Sequence, residues 1–250
     1  MARDQIVRGG KTPAAGRGLG QGMGRTAATV MRLPMRVWDL PVRLIHWLIT
    51  LGMAGSYFTY LFGYVQLHIW LGETTLGLLL YRLIWGFVGS ETARFRKFLR
   101  SPLVGLRHLA AWRTVEVDNE IGHNAAGGWM VLILLGVIAL QVGTGLFVHN
   151  RSGLGGPLAH LVAPATWHTA RQLHGLFWNV LLGAVILHVL TVASYYFLKK
   201  QNLVRPMVTG KKRLPAAARA PRMASMARML LVLAVVMGLV AFVVWGTGSL

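Results

Sequence analysis

The chain has 250 residues, of which 54% are hydrophobic and only 13% charged, and it carries a formal charge of +19. So apolar a composition excludes an ordinary soluble domain and reads as an integral membrane protein, whose basic residues report orientation in a bilayer rather than nucleic-acid binding. The absence of cysteine removes disulfides, thiolate ligands, iron-sulfur clusters and covalently attached c-type haem.

Residues 1–36 are rich in Gly, Ala and Arg and contain no apolar run long enough for a secretory signal. They read as a flexible basic cytoplasmic tail. Asp39 is then an expected N-cap and Pro41 suits a first helical turn. The uncharged stretch from Leu44 to Gly72 is too long for one span, so the expectation is one helix from about Leu40 to Tyr60 and a second from about Val65 to Val88, turning near Gly63. Gly89 to Asn119 is polar and basic, with Pro102 expected to break two short interfacial segments. Ile121 to Asn150 has no formal charge and gives a third span. A Gly- and Pro-containing loop from His149 to about Thr166 leads to a fourth, Arg171 to Leu198. Residues 199–228 form a basic linker, and Met229 to Trp245 a fifth span without a charged or polar side chain. The expected architecture is therefore all-α: a four-helix transmembrane bundle over residues 37–198, plus a fifth C-terminal transmembrane helix within 229–246.

Lys and Arg alternate along this plan. Seven precede the first helix, none lie between the first two, six fall in Gly89–Glu120, two in Phe147–Arg171, nine in Lys199–Arg228 and none after Trp245. The tail, middle loop and linker are thus expected on the cytoplasmic side of a bacterial inner membrane, with the C-terminus periplasmic.

The fourth span holds two histidines, His174 and His188, fourteen residues apart. In a helix that is about 21 Å along the axis and about 40° around it, so both imidazoles share one face at opposite depths. Given the topology, His46 lies at the inner depth of His188, and His68 at the outer depth of His174. Any one such histidine is commonly an interfacial hydrogen-bonding residue. Four that match two by two suggest axial ligands to two stacked haems, each held between different helices. His123, at the inner start of the third helix, competes with His46. His108, His149, His160 and His168 show no pairing. Arg82, fourteen residues after His68, falls near the inner haem, while Arg43 and Arg171 stand one turn before His46 and His174. All three are candidate propionate partners, although snorkelling to headgroups is the commoner fate of Arg43 and Arg171. Gly72 and Gly183 would let a porphyrin approach the backbone. Glu73 is either a proton-active group beside the outer haem or an interfacial pairing residue.

The boxes WDLPVRLIHW, HIWLGETTLGLLLYRLIWGFVG, GHNAAGGWM with QVGTGLF, and HGLFWNVLLGAVILH with NLVRPMVTGKK resemble the bacterial di-haem cytochrome b561 family, which includes the b-type cytochrome subunits of nickel-iron hydrogenases. The resemblance covers roughly Arg36 to Leu214. It implies two b-type haems ligated by His46, His68, His174 and His188, exchanging electrons between ubiquinone or menaquinone and a redox partner outside, such as a c-type cytochrome or a hydrogenase-like subunit. With both axial positions filled, an electron-transfer subunit is expected rather than a catalyst with its own substrate pocket. Two rivals remain at this stage. One is a stand-alone superoxide:quinone oxidoreductase, disfavoured because only Arg151 and Arg171 are available to steer superoxide at the outer face. The other is a non-redox transporter or scaffold, disfavoured because paired imidazoles without carboxylate or thiolate make a poor metal cage.

Overall fold

The computed structural model of the chain describes residues 31–110, 120–150 and 153–246. The basic tail over residues 1–30, and residues 111–119 of the polar stretch before Glu120, lie outside the described residues. From Arg32 onward the chain forms one compact unit.

The last residues assigned to the tail take up regular structure. Arg32–Arg36 form a strand, β1, that pairs antiparallel with β2, Lys211–Pro215, inside the segment read as a linker. A two-stranded ribbon is marginal by itself, so its support must come from the helices. Leu214, opposite Leu33, is fully buried. The amides of Val37 and Trp38 both donate to the carbonyl of Gly210, at 2.8 and 3.2 Å. Gly210 has φ +78° and ends a short helix, and a Cβ there would come within 2.9 Å of the Trp38 carbonyl. Only glycine meets both demands.

Helix α1, Leu40–Leu61, starts as its sequence dictates: Asp39 Oδ1 accepts from the Val42 amide at 2.9 Å, with Pro41 in the first turn. The same carboxylate accepts from Trp85 Nε1 at 2.8 Å, tying α1 to the next helix. After a turn with Gly63 at φ +79°, α2 runs back over Val65–Val88. The pair packs closely where α1 offers glycine: a Cβ on Gly52 or Gly55 would meet Thr75 at 3.0 Å or Leu71 at 3.2 Å. A 3₁₀ turn and the short α3, Phe95–Phe98, follow. Pro102 opens α4, Pro102–Ala110, as a break at that position requires.

Helix α5, Ala125–Gly145, is capped by Asn124, whose Oδ1 accepts from Gly127 N at 2.8 Å while its Nδ2 donates to Tyr195 at 2.9 Å. Helix α6, Pro164–Phe197, begins two turns before the expected start, because Pro164 pre-sets the first helical turn. Its 34 residues extend about 50 Å, longer than the hydrocarbon core of about 30 Å. After α7, Val204–Thr209, and β2 comes α8, Met226–Ala241, continued by a π turn through Gly246 and packed on α2.

Among the described residues, α5, α6 and the α8 segment are long and apolar enough to cross a membrane. Helices α1 and α2, of 22 and 24 residues, have the length, but their Tyr, Trp, Thr, Gly and His residues dilute the apolar run. Leu140, Ile186, Leu187, Leu190, Leu231 and Leu239 are exposed on the outside, as side chains solvated by lipid must be.

Candidate functional site

Two ends of the bundle matter. The ribbon end holds the start of α1, the end of α2 and the β1-β2 ribbon; the hairpin end holds the α1-α2 turn. One pair of imidazoles meets at each. At the ribbon end, the His46 and His188 rings have centroids 6.4 Å apart and planes at 57°. At the hairpin end, His68 and His174 are 6.1 Å apart with planes at 85°. Two imidazoles sharing one metal from opposite sides are separated by two metal-nitrogen bonds of about 2 Å plus about 1.2 Å from each nitrogen to its ring centre, about 6.4 Å in all. Both pairs fit that span.

The hairpin pair is tautomerically fixed. His68 Nδ1-H donates to the Ser56 carbonyl at 2.8 Å, with Ser56 Oγ 3.0 Å from the same nitrogen. His174 Nδ1-H donates to the Gln141 carbonyl at 2.9 Å, with Thr144 Oγ1 at 3.3 Å. A carbonyl only accepts, so both protons sit on Nδ1 and each Nε2 carries the lone pair that a ligating histidine offers a metal, although that of His174 accepts from the Gln141 side-chain amide. The Gln141 side-chain amide lies 3.1 Å from His174 Nε2, and its Oε1 is buried without a partner among the described residues. Gly145 lets α6 approach, since a Cβ there would lie 3.0 Å from His174 Cε1. At the ribbon end the contrast is plain: His46 Nδ1 is buried with no hydrogen-bond partner among the described residues.

Gly72 and Gly183, the expected approach points for a porphyrin, would each direct a Cβ into open space with nothing within 4 Å. The three arginines are held by main-chain contacts. Each bonds a backbone carbonyl: Arg82 that of Ala93 at 3.5 Å, Arg43 those of Asp39 at 3.3 Å and Val208 at 2.5 Å, and Arg171 that of His149. The cause is local supply, because turns and helix ends present unsatisfied carbonyls within reach of a long side chain. Arg82 is only 6% exposed and also lies over the Phe95 ring, 5.3 Å from its centre. His123 packs between Trp38 and Phe98, with ring centroids at 4.6 and 4.8 Å; it pairs with aromatic rings, whereas His46 faces His188. His149 stacks on Trp167, and His108 lies 3.3 Å from the Tyr195 hydroxyl. Glu73 joins no ion pair among the described residues.

Ser56, Gln141, Thr144 and Gly145 escape the sequence reading. The first two meet the imidazoles through main-chain carbonyls, which every residue type possesses, as well as through a hydroxyl and an amide, and a lone Ser or Gln in a helix carries no signal of such a contact. Gly145 and Gln141 sit in the QVGTGLF box, and a glycine one turn after a glutamine is the only trace they leave.

Fold and site together define a multi-pass helical membrane protein with matched imidazole pairs at its two ends. Residues 37–210 match the family described as prokaryotic cytochrome b561, and the chain belongs to that family. It is 26% identical over 208 residues to the probable Ni/Fe-hydrogenase 1 B-type cytochrome subunit of Escherichia coli K12, covering 70% of this chain and 88% of the relative. The protein of the same description from Escherichia coli O157:H7 matches to the same extent. No solved structure matches. Membership makes the chain a membrane b-type cytochrome of electron transport, and implies haem b.

Proposed function

We propose that this chain is a di-haem b-type cytochrome that carries electrons across the cytoplasmic membrane between the quinone pool and a periplasmic redox partner, a c-type cytochrome or a hydrogenase-like subunit. The observation that carries the reading is the presence of two imidazole pairs, at 6.4 and 6.1 Å, each of the right span for one iron. Along α6 they are separated by about 21 Å, the stacking distance that two haems across one bilayer need. The relatives' description as hydrogenase cytochrome subunits supports the hydrogenase-like partner. The Lys and Arg distribution supports a cytoplasmic ribbon end and a periplasmic hairpin end, with α1 and α2 crossing beside α5, α6 and α8.

Bound haem would supply one-electron redox chemistry. The rest belongs to the chain. His46 and His188 hold one macrocycle, and His68 and His174 the other. Gly72 and Gly183 leave room for its plane. Arg43, Arg82 and Arg171 each have five donors, so those not engaged by carbonyls remain for propionates. The apolar helix faces exclude water and small oxidants from the iron.

Haem assay of the purified protein tests this. The expected result is about two haems per chain with a low-spin, bis-imidazole spectrum; colourless protein overturns the reading.

A further inference from the structure

We propose that the outward face of the β1-β2 ribbon is a docking site for the phosphate headgroups of anionic phospholipid at the bilayer surface. This needs only a membrane-spanning chain and is independent of how many haems the chain holds.

The strand register carries it. Successive side chains of a strand alternate between its faces, so one face of the ribbon collects Arg32, Pro34 and Arg36 from β1 and Lys211, Arg213 and Pro215 from β2. The other face is turned to the bundle: Leu214 is fully buried, Met35 packs on the core, and Lys212 Nζ donates to the Glu120 carbonyl at 2.9 Å. The outward face thus carries four exposed cations and no acid. Arg36 stands directly opposite Lys211, where like charges about 5 Å apart repel. The side chains of Arg36, Lys211 and Arg213 make no hydrogen bond or ion pair among the described residues. Nearby carboxylates are already engaged: Asp39 with the α1 cap and Trp85, Glu91 with Lys97, and Glu120 with Arg100. A two-stranded ribbon is marginal to begin with, and like charges set across it call for an anion from outside the chain.

Position selects lipid as that anion. β1 leads into α1 through Val37, Trp38 and the Asp39 cap, and Leu40, Leu44 and Leu48 are exposed at once. The Arg36-Lys211 end of the ribbon therefore lies within about 14 Å of chain from the first lipid-facing side chain. Trp47, whose Nε1 donates to the Met207 carbonyl at 3.3 Å, is the residue type that settles at headgroup depth. Clusters of Lys and Arg immediately beside a membrane helix bind anionic headgroups. A peptide adding a third strand fits less well, because Pro34 supplies no amide donor to the β1 edge.

The test places the full-length protein in nanodiscs of phosphatidylcholine alone or mixed with phosphatidylglycerol. Native mass spectrometry of protein released from the mixed discs should show phosphatidylglycerol retained over phosphatidylcholine about fivefold or more, the factor that one Lys or Arg near an anionic surface supplies. Amides of residues 32–36 and 211–215 should exchange hydrogen more slowly in the mixed discs. The triple variant Arg36→Gln, Lys211→Gln, Arg213→Gln should lose both effects with helix content unchanged. A control variant, Arg96→Gln, Arg107→Gln, Lys200→Gln, removes the same charge elsewhere at the ribbon end and should keep both. Should the triple variant not fold, the unsubstituted protein decides alone: equal retention of the two lipids, or equal exchange in the two discs, overturns the proposal. A preference that survives the triple variant, or that the control loses as well, also overturns it. So does inorganic phosphate or poly-glutamate that slows ribbon exchange in detergent as much as phosphatidylglycerol does, since the face would then belong to a soluble anion or an acidic protein.

Discussion

The ribbon end and the hairpin end hold similar imidazole pairs by opposite means. The ribbon end is a packed core: Val37, Trp38, Trp85, Ala93, Phe98 and Leu214 are buried together, and Asp39 ties α1 to α2 from inside. The hairpin end has little core. Tyr60, Phe62, Tyr64 and Trp70 are exposed, and its histidines are steered by neighbouring carbonyls. The fold therefore draws its stability from one end and its ligand orientation at the other from main-chain atoms. Substitutions should divide along that line.

The sharpest break in the comparison is Asp39→Ala. It removes the α1 cap, worth about 1 kcal/mol, and leaves the buried Trp85 N-H without its acceptor, about 1–3 kcal/mol more. It also removes a negative charge that acts on the buried Arg82 guanidinium. A loss of about 2–4 kcal/mol in total is expected, read as a large drop in thermal unfolding temperature in detergent. Ser56→Ala at the other end should leave that temperature nearly unchanged. If both substitutions melt the protein alike, the two ends are not built differently.

How much of this was legible follows from how local each signal is. The Asp39 cap, the turn at Gly63 and the break at Pro102 lie within a few residues of the elements they punctuate, and a single sequence exposes them. The meeting of His46 with His188 and of His68 with His174 was legible because helical rise and topology fix depth without any knowledge of packing. The ribbon was not: Arg32–Arg36 and Lys211–Pro215 are far apart in the chain, Lys211–Pro215 shows no alternation, and the alternation of Leu33 and Met35 is too short and is broken by Pro34. The arginine partners were not legible either, since the carbonyls of Ala93, Val208 and His149 are main-chain atoms placed by tertiary packing. The start of α6 at Pro164 was missed because a Gly- and Pro-containing segment reads as loop until the proline is seen to occupy the first helical turn.

Gly145→Ala should have an intermediate effect confined to the hairpin end. The added Cβ would sit 3.0 Å from His174 Cε1, so the ring must yield, with a strain of about 1–3 kcal/mol. Gly183→Ala is the matched control: its Cβ meets no protein atom, and alanine gains about 1 kcal/mol of helix propensity. In haem-free protein, Gly145→Ala should lower stability and Gly183→Ala should raise it slightly. On reconstitution, Gly145→Ala should weaken retention of the hairpin-end haem. Gly183→Ala should lower haem occupancy despite its better apoprotein stability, because the space it fills is the space assigned to a macrocycle. Undiminished haem content in Gly183→Ala would remove Gly183 from the cradle.

The smallest effect tests how the chain beyond α7 is fastened to the ribbon end. The Glu91 amide donates to the Arg222 carbonyl at 2.9 Å, Glu91 Oε2 accepts from the Arg222 amide at 3.1 Å, and Oε1 lies 3.3 Å from Lys97 Nζ. The Arg222 N-H, and after it Lys97, hold the Glu91 carboxyl below the usual carboxylate range. A depressed carboxyl contributes stability that is fully present above its unfolded value and is lost as pH falls through the folded one. The group is exposed, so the contribution is small and screened by salt. Limited proteolysis between β2 and α8 should therefore quicken on acidification below the carboxylate range, while the helices stay protected. Glu91→Gln should show the faster cleavage already at neutral pH and lose most of its acid dependence. Cleavage that is insensitive to both pH and Glu91→Gln would mean that the main-chain bond from Glu91 N to Arg222 O fastens this segment without help from the carboxylate.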